Sequence, residues 1–241
     1  MSTSHLLNYR DIWQRKPVLR ALYGDYHRRM AAACRPGRTL EIGGGAGHLK
    51  ELRDEVLSSD IQPAPWLDLV ADAQSLPFAD ASLDNIVLLD VLHHIERPRR
   101  FFEEARRCLR PGGRIVLLEP AMTPLSILVY RFAHPEPVDM AADPLANAPP
   151  TPGRDPYDAN QAIPTLLFRR APERFARAFP DLALRRNRLL SLFAFPLSGG
   201  FRTWSIIPAA LVRPLLVLET ALAPLLGPLM AFRLLVVIER R

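Results

Sequence analysis

The chain has 241 residues, 49% of them hydrophobic, enough to bury one full core within a single domain spanning 1–241. Its formal net charge of +6 rests almost wholly on arginine, since only Lys16 and Lys50 among the 31 Lys and Arg residues are lysine. The arginines stand in short scattered groups such as Arg97, Arg99 and Arg100 rather than in one basic block, which argues against nucleic acid as a partner.

Residues 11–33 place Val18, Leu19, Leu22, Tyr23, Tyr26 and Met30 at helical spacing up to Pro36-Gly37, predicting a helical cover over residues 1–36. Residues 38–42 then read as a strand entering the run Gly43-Gly44-Gly45-Ala46-Gly47, with a helix over 46–56. Short strands follow at 56–59, 67–71, 85–89 and 114–118, and a helix at 98–109 is closed by Pro111-Gly112-Gly113. The alternation of β and α predicts an α/β fold, a mainly parallel sheet with helices on both faces, with its core over 37–120.

From 121 to 180 the alternation stops and prolines crowd the chain, as in an insertion, part loop and part helix, that lids a site. Strands at 182–195 and 234–238 close the 181–241 segment around an apolar block at 203–232. Cys34 and Cys108 lie far apart without metal-ligand spacing, and the first 17 residues hold no apolar run that could serve as a signal peptide. Reduced thiols, a cytoplasmic protein and no metal are therefore expected.

The strongest motif is Leu40-Glu41-Ile42-Gly43-Gly44-Gly45-Ala46-Gly47, a strand that runs into glycines able to turn tightly and bring backbone close to a ligand. A dinucleotide turn would need a third glycine where His48 or Lys50 stands, so a nicotinamide or flavin cofactor loses support. With Glu41, Gly43, Gly45 and Gly47 in place, the chain resembles the class I S-adenosylmethionine (SAM) dependent methyltransferases, in particular the type 11-like family. That resemblance implies a Rossmann-like, seven-stranded sheet and SAM as cofactor, with S-adenosylhomocysteine as product.

Residue by residue, the resemblance assigns Glu41, Gly43, Gly44, Gly45 and Gly47 to the cofactor turn and Asp60, followed by Ile61, to the ribose at the end of the second strand. Asp72 and Ala73, in Val70-Ala71-Asp72-Ala73, take the adenine edge, and Asp90 follows the fourth strand. Tyr9 and Trp13 stand where such proteins often close an N-terminal segment over the cofactor. The likeness covers about residues 38–120; the acceptor-binding part varies most in the family and transfers nothing residue by residue.

His93 and His94 follow the fourth strand, at the sheet edge where doubly wound folds bind ligands, and are the candidate bases for a hydroxyl acceptor. Tyr130, His134, Glu136 and Tyr157 in the lid are further candidate acceptor contacts. The Asn/Asp-Pro-Pro-aromatic motif of amide- and base-modifying members is replaced here by Leu89-Asp90-Val91-Leu92, which speaks against those substrates. Residues 214–232 approach the length of a membrane span but hold Glu219 and three helix-breaking positions, Pro224, Gly227 and Pro228.

These features predict methyl transfer from SAM to a small, hydrophobic or lipid-like acceptor, with O-methylation favoured and a peripheral membrane contact through 203–232. Two alternatives stay open: a SAM-binding, non-catalytic assembly partner at a membrane, and a methyltransferase of structured RNA.

Overall fold

A computed structural model describes residues 3–241. The predicted helix over 11–33 is two helices, α1 (Thr3–Arg15) and α2 (Pro17–Ala31). The break is local chemistry: Pro17 disfavours the helical conformation at the residue before it, and Lys16 sits at φ −110°, ψ 92°. The bend also turns Lys16 inward, where its ammonium donates to the carbonyls of Gly200, Arg202 and Trp204 at 2.7, 2.7 and 2.8 Å.

Seven strands form one sheet in the order β3-β2-β1-β4-β5-β7-β6. They are β1 (Thr39–Ile42), β2 (Leu57–Asp60), β3 (Leu69–Val70), β4 (Leu83–Leu89), β5 (Leu109–Pro120), β6 (Leu182–Leu190) and β7 (Arg233–Arg240). The first five are parallel, and β7 runs antiparallel to both β5 and β6. Because the chain builds outward from β1 through β2 to β3 and then returns to place β4 on the other side, the crevice between the carboxyl ends of β1 and β4 is the topological switch point.

Several expected elements are shorter than read. The helix over 46–56 contracts to α3 (His48–Leu52), the strand over 67–71 to the two residues of β3 at the sheet edge, and the strand over 182–195 ends at Leu190. The glycine turn at 111–113 is a bulge within β5: Leu109 stands opposite Leu83 and Arg114 opposite Asn85.

Strand side chains alternate between two cores. Leu40, Ile86, Leu88, Ile115 and Leu117 pack under α4 (Pro98–Cys108), whose Phe101 and Phe102 are fully buried. Val87, Leu89, Val116 and Leu118 face Leu19, Leu22 and Tyr26 of α2. The 121–180 insertion begins with α5 (Pro124–Ala133), started by a capping box between Thr123 and Ser126, and runs irregularly until α6 (Ile163–Thr165), a wider turn at Leu166–Arg170 and α7 (Pro172–Ala178).

The C-terminal apolar block forms α8 (Ala194–Ser198) and α9 (Ala209–Met230), the latter continuous despite Pro214, Pro224 and Pro228. Val212, Leu216, Glu219 and Gly227 face inward against α2 and β6. Glu219, the single charge in that apolar window, is 3% exposed and accepts the amides of Phe193 and Ala194 at the start of α8. The rest of α9 faces out, with Leu211, Val217, Leu218, Leu225 and Leu229 at least half exposed.

Candidate active site

The glycine turn leaves β1 at the switch point. Gly43 has φ +70°, and a Cβ there would lie 2.2 Å from Val91 Cγ2, so the chain from β4 can pass only because Gly43 has no side chain. Gly45, at φ +47°, faces open space, where an added Cβ would meet only its own turn at 3.7 Å. The turn is stitched by Gly44 N donating to Ser59 O at 2.8 Å and Gly47 N to Gly44 O at 2.7 Å.

Two residues that the motif reading missed clamp this turn from outside. Trp66 Nε1 donates to Gly45 O at 2.8 Å, and the Arg10 guanidinium lies 4.5 Å over the Trp66 ring while donating to Ala46 O at 2.7 Å. Neither falls in a recognisable pattern, since the pair is made 56 positions apart in sequence by the fold of α1 over the 61–68 loop.

Asp60 ends β2 with its carboxylate toward the turn, accepting Gly45 N and Gln62 N, each at 3.0 Å. Burial pushes its pKa up against these two bonds. Each oxygen keeps a second lone pair, so the group can still receive a diol, and Ile61 beside it is 47% exposed. At the end of β3, Asp72 accepts the Gln74 amide at 2.8 Å, which orients its carboxylate, with Ala73 buried next to it. The open space over Gly45 and the carboxylates at two neighbouring strand ends suit SAM.

Three further expected contacts each have partners within the protein. Glu41 is 3% exposed beneath the turn, its Oε2 taking the Ser58 hydroxyl at 2.5 Å, and burial pushes its pKa up to about 7. Trp13 is a core residue, ring centroid 4.8 Å from that of His48 and Nε1 bonded to Glu51 at 2.8 Å, so it fastens α1 to α3. Asp90, at φ +60°, is held by both terminal nitrogens of the buried Arg233 and by Tyr23 Oη at 3.2 Å. Tyr9 packs its ring 5.1 Å from that of Phe201, and burial together with the Glu136 charge pushes its phenol above the usual range.

His93 and His94 occupy a 3₁₀ turn, Leu92–His94, after β4. Glu119, fully buried at the end of β5, holds this turn: Oε1 accepts Val91 N at 2.9 Å and Leu92 N at 2.8 Å, and Oε2 meets His93 Nδ1 at 2.7 Å. The other His93 nitrogen, Nε2, lies 3.4 Å from Glu136 of the lid, and His94 Nε2 lies 3.9 Å from the same carboxylate. Burial opposes a charge on His93, but the two carboxylates outweigh it and push its pKa up to about 10. Burial and the His93 charge push His94 down to about 4.

The two histidines, each a candidate base, differ in the direction of their shifts. His93 is an imidazolium between carboxylates, whereas His94 is neutral near pH 7. Of the lid residues, Glu136 and His134 join this cluster; Tyr157 Oη meets Gln62 at 3.3 Å beside Asp60, and Tyr130 is buried with its hydroxyl on Phe232 O at 3.2 Å. An open cleft of about 600 Å³ lies between the lid and the 3₁₀ turn, lined by His93, Ile95, Ala142, Pro144, Arg154 and Ile163 among others.

Residues 40–117 match the family model described as a methyltransferase domain. A ubiquinone/menaquinone biosynthesis C-methyltransferase of Paracoccus denitrificans is 38% identical over 64 residues, 27% of this chain and 26% of that protein. A probable phthiotriol/phenolphthiotriol dimycocerosates methyltransferase of Mycobacterium ulcerans is 36% identical over 107 residues, 36% of this chain and 42% of that protein. The matches thus span well under half the length of these curated relatives.

Among solved structures, a SAM-dependent methyltransferase of Thermotoga maritima aligns over 98% of this chain and 96% of its own, at TM-score 0.57 and 15% identity. One from Archaeoglobus fulgidus aligns over 92% and 94%, at TM-score 0.54 and 18% identity. Together with the strand order and the glycine turn, these likenesses show that the chain has the fold of the SAM-dependent methyltransferases, with the methyltransferase-domain match confined to residues 40–117.

Proposed function

We propose that this chain transfers a methyl group from SAM to a small apolar acceptor, with a hydroxyl oxygen as the favoured target. The observation that carries the reading is the pairing of the open glycine turn with Asp60, whose carboxylate accepts the Gly45 amide beside the switch point. SAM, when bound, supplies an electrophilic methyl on a sulfonium. The protein's task is then to hold and align the acceptor and keep water away.

The cleft between lid and 3₁₀ turn has a volume typical of small-molecule sites and mixed apolar and polar walls, which suits an acceptor with one polar group. His94, neutral at pH 7 and next in sequence to the cleft-lining His93, is the base proposed for a hydroxyl proton, although its depressed pKa makes it a weak one. His93, held by Glu119, positions the turn that carries it.

Access from a lipid surface fits the same reading. On α5, Leu125, Leu128 and Phe132 are exposed, the last by 85%, α5 packs against α9 with its outward leucines, and Trp204 and Ile206 are exposed as well. By length and composition α9 could cross a membrane, but β7 follows it within a few residues and its inner face is packed on α2 and β6. A helix lying flat at the interface keeps those contacts, and Arg131, Arg202 and Arg213 are exposed cations that could meet headgroups.

Calorimetric titration with S-adenosylhomocysteine tests the cofactor reading: micromolar binding is expected, weakened at least tenfold in Asp60→Ala. Absence of binding to folded protein would overturn it. Co-sedimentation with vesicles of phosphatidylglycerol and phosphatidylcholine tests the surface, with loss expected in a Leu218→Glu/Leu225→Glu variant; wild-type protein that stays wholly in the supernatant refutes the contact.

A further inference from the structure

The geometry points to a divalent transition-metal site formed by His93 Nε2, His94 Nε2 and the Glu136 carboxylate, a set the sequence scatters over 43 positions. His93 Nε2 and Glu136 Oε2 are 3.4 Å apart, His94 Nε2 and Glu136 Oε1 3.9 Å, and one ligand atom from each residue falls within 4.8 Å of the others. Ligands about 2.0–2.1 Å from a tetrahedral ion stand roughly 3.3 Å from one another, so sub-ångström movement closes the set. Two imidazoles and one carboxylate on one side of an ion are the donors that Zn²⁺, Fe²⁺ and Co²⁺ take, the ion replacing the proton that His93 Nε2 otherwise holds toward Glu136 and releasing it to solvent, and such a set leaves coordination positions open.

A second, independent feature is the support behind the ligands. A metal-bound histidine is commonly oriented by a carboxylate on its other ring nitrogen. Here Glu119 Oε2 lies 2.7 Å from His93 Nδ1, fully buried, and its second oxygen fixes the backbone that carries both histidines. Gln161, 2% exposed, donates to Glu136 and steadies the third ligand. The alternative cluster of Asp90, His93 and Glu119 is a weaker candidate, because Arg233 and Tyr23 already hold Asp90 and Glu119 serves the turn.

The site joins the end of β4 to the lid and borders the acceptor cleft. Ion binding stands on these residues alone. That the ion would ligate an acceptor oxygen and favour loss of its proton rests on the methyl-transfer reading above.

The test uses chelator-stripped, full-length protein titrated with CoCl₂ and ZnCl₂, followed by calorimetry and by the visible absorption of bound Co²⁺, with S-adenosylhomocysteine binding measured on the same samples. One ion per chain at micromolar affinity or tighter is expected, weakened at least tenfold in His94→Ala and Glu136→Gln and unchanged in Cys34→Ser. No binding of either ion, or binding retained in both site variants, overturns the site. Circular dichroism and retained S-adenosylhomocysteine binding establish that the variants are folded, and loss of that nucleoside in wild type with the ion still bound counts against methyl transfer and leaves the metal site standing.

Discussion

Glu119 holds the 3₁₀ turn through two backbone amides and one imidazole, and none of these donors has another acceptor within the buried turn. Glu119→Ala strands all three. A buried donor left unpaired costs about 1–3 kcal/mol, and the imidazolium partner lies at the upper end. The loss should reach about 4 kcal/mol, much of the 5–15 kcal/mol that typically separates folded from unfolded. Glu119→Gln keeps an oxygen for Val91 and Leu92 and loses only the charge-assisted bond, for about 2 kcal/mol. Equilibrium urea unfolding at pH 7.5, followed by far-ultraviolet circular dichroism, measures both. Equal losses in the two variants, or a loss under about 1 kcal/mol in Glu119→Ala, would show that the turn does not depend on this carboxylate.

Three further outcomes follow from buried groups elsewhere. His48 shares a 2.9 Å bond with His27 in the α2 core, and burial lowers its pKa to about 4, so its neutral form contributes stability above pH 6.5 that is lost as pH falls toward 4. Between pH 7 and 4.5 the wild type should lose about 2 kcal/mol more than His48→Gln, a difference that removes the opposite trend expected from Glu41, and equal slopes in urea unfolding would refute it. Lys16→Ala should destabilise by about 3 kcal/mol by stranding three carbonyls, with faster amide exchange confined first to residues 199–206; unchanged exchange there contradicts the anchoring role. Gly43→Ala should cost about 2 kcal/mol or more through φ +70° and the Val91 contact, and adding Val91→Ala should recover part of it; a double variant no more stable than the single one refutes the steric account.

What could be read from the sequence was what local chemistry decides. The glycine turn, the carboxylates closing β2 and β3, and the alternation of strands and helices each depend on a few adjacent residues, and the fold keeps all of them. Pro17 was equally local, yet the helical periodicity ran through it and masked the break. Element lengths failed where pairing decides them: β3 is an edge strand with one neighbour, and only Leu69 and Val70 find partners on β2. The site's long-range contacts had no sequence signal, because Asp90 meets Arg233 across 143 positions and His93 meets Glu119 across 26.

The apolar block shows where one misplaced residue type carries more than a run of expected ones. Within 214–232 the composition is that of a span, and the prolines argue against one, so neither settles which side of the helix meets the protein. Glu219 does. A carboxylate in such a helix needs hydrogen bonds if it is buried, and the amides that start α8 supply them. Its position fixes Val212, Leu216 and Gly227 on the inner face at helical spacing and leaves Leu211, Leu218 and Leu225, seven residues apart, on the outer one. The outward stripe is thus set by the one polar residue on the opposite side, and substituting Glu219 with leucine should loosen α8 from α9 while leaving the apolar surface itself unchanged.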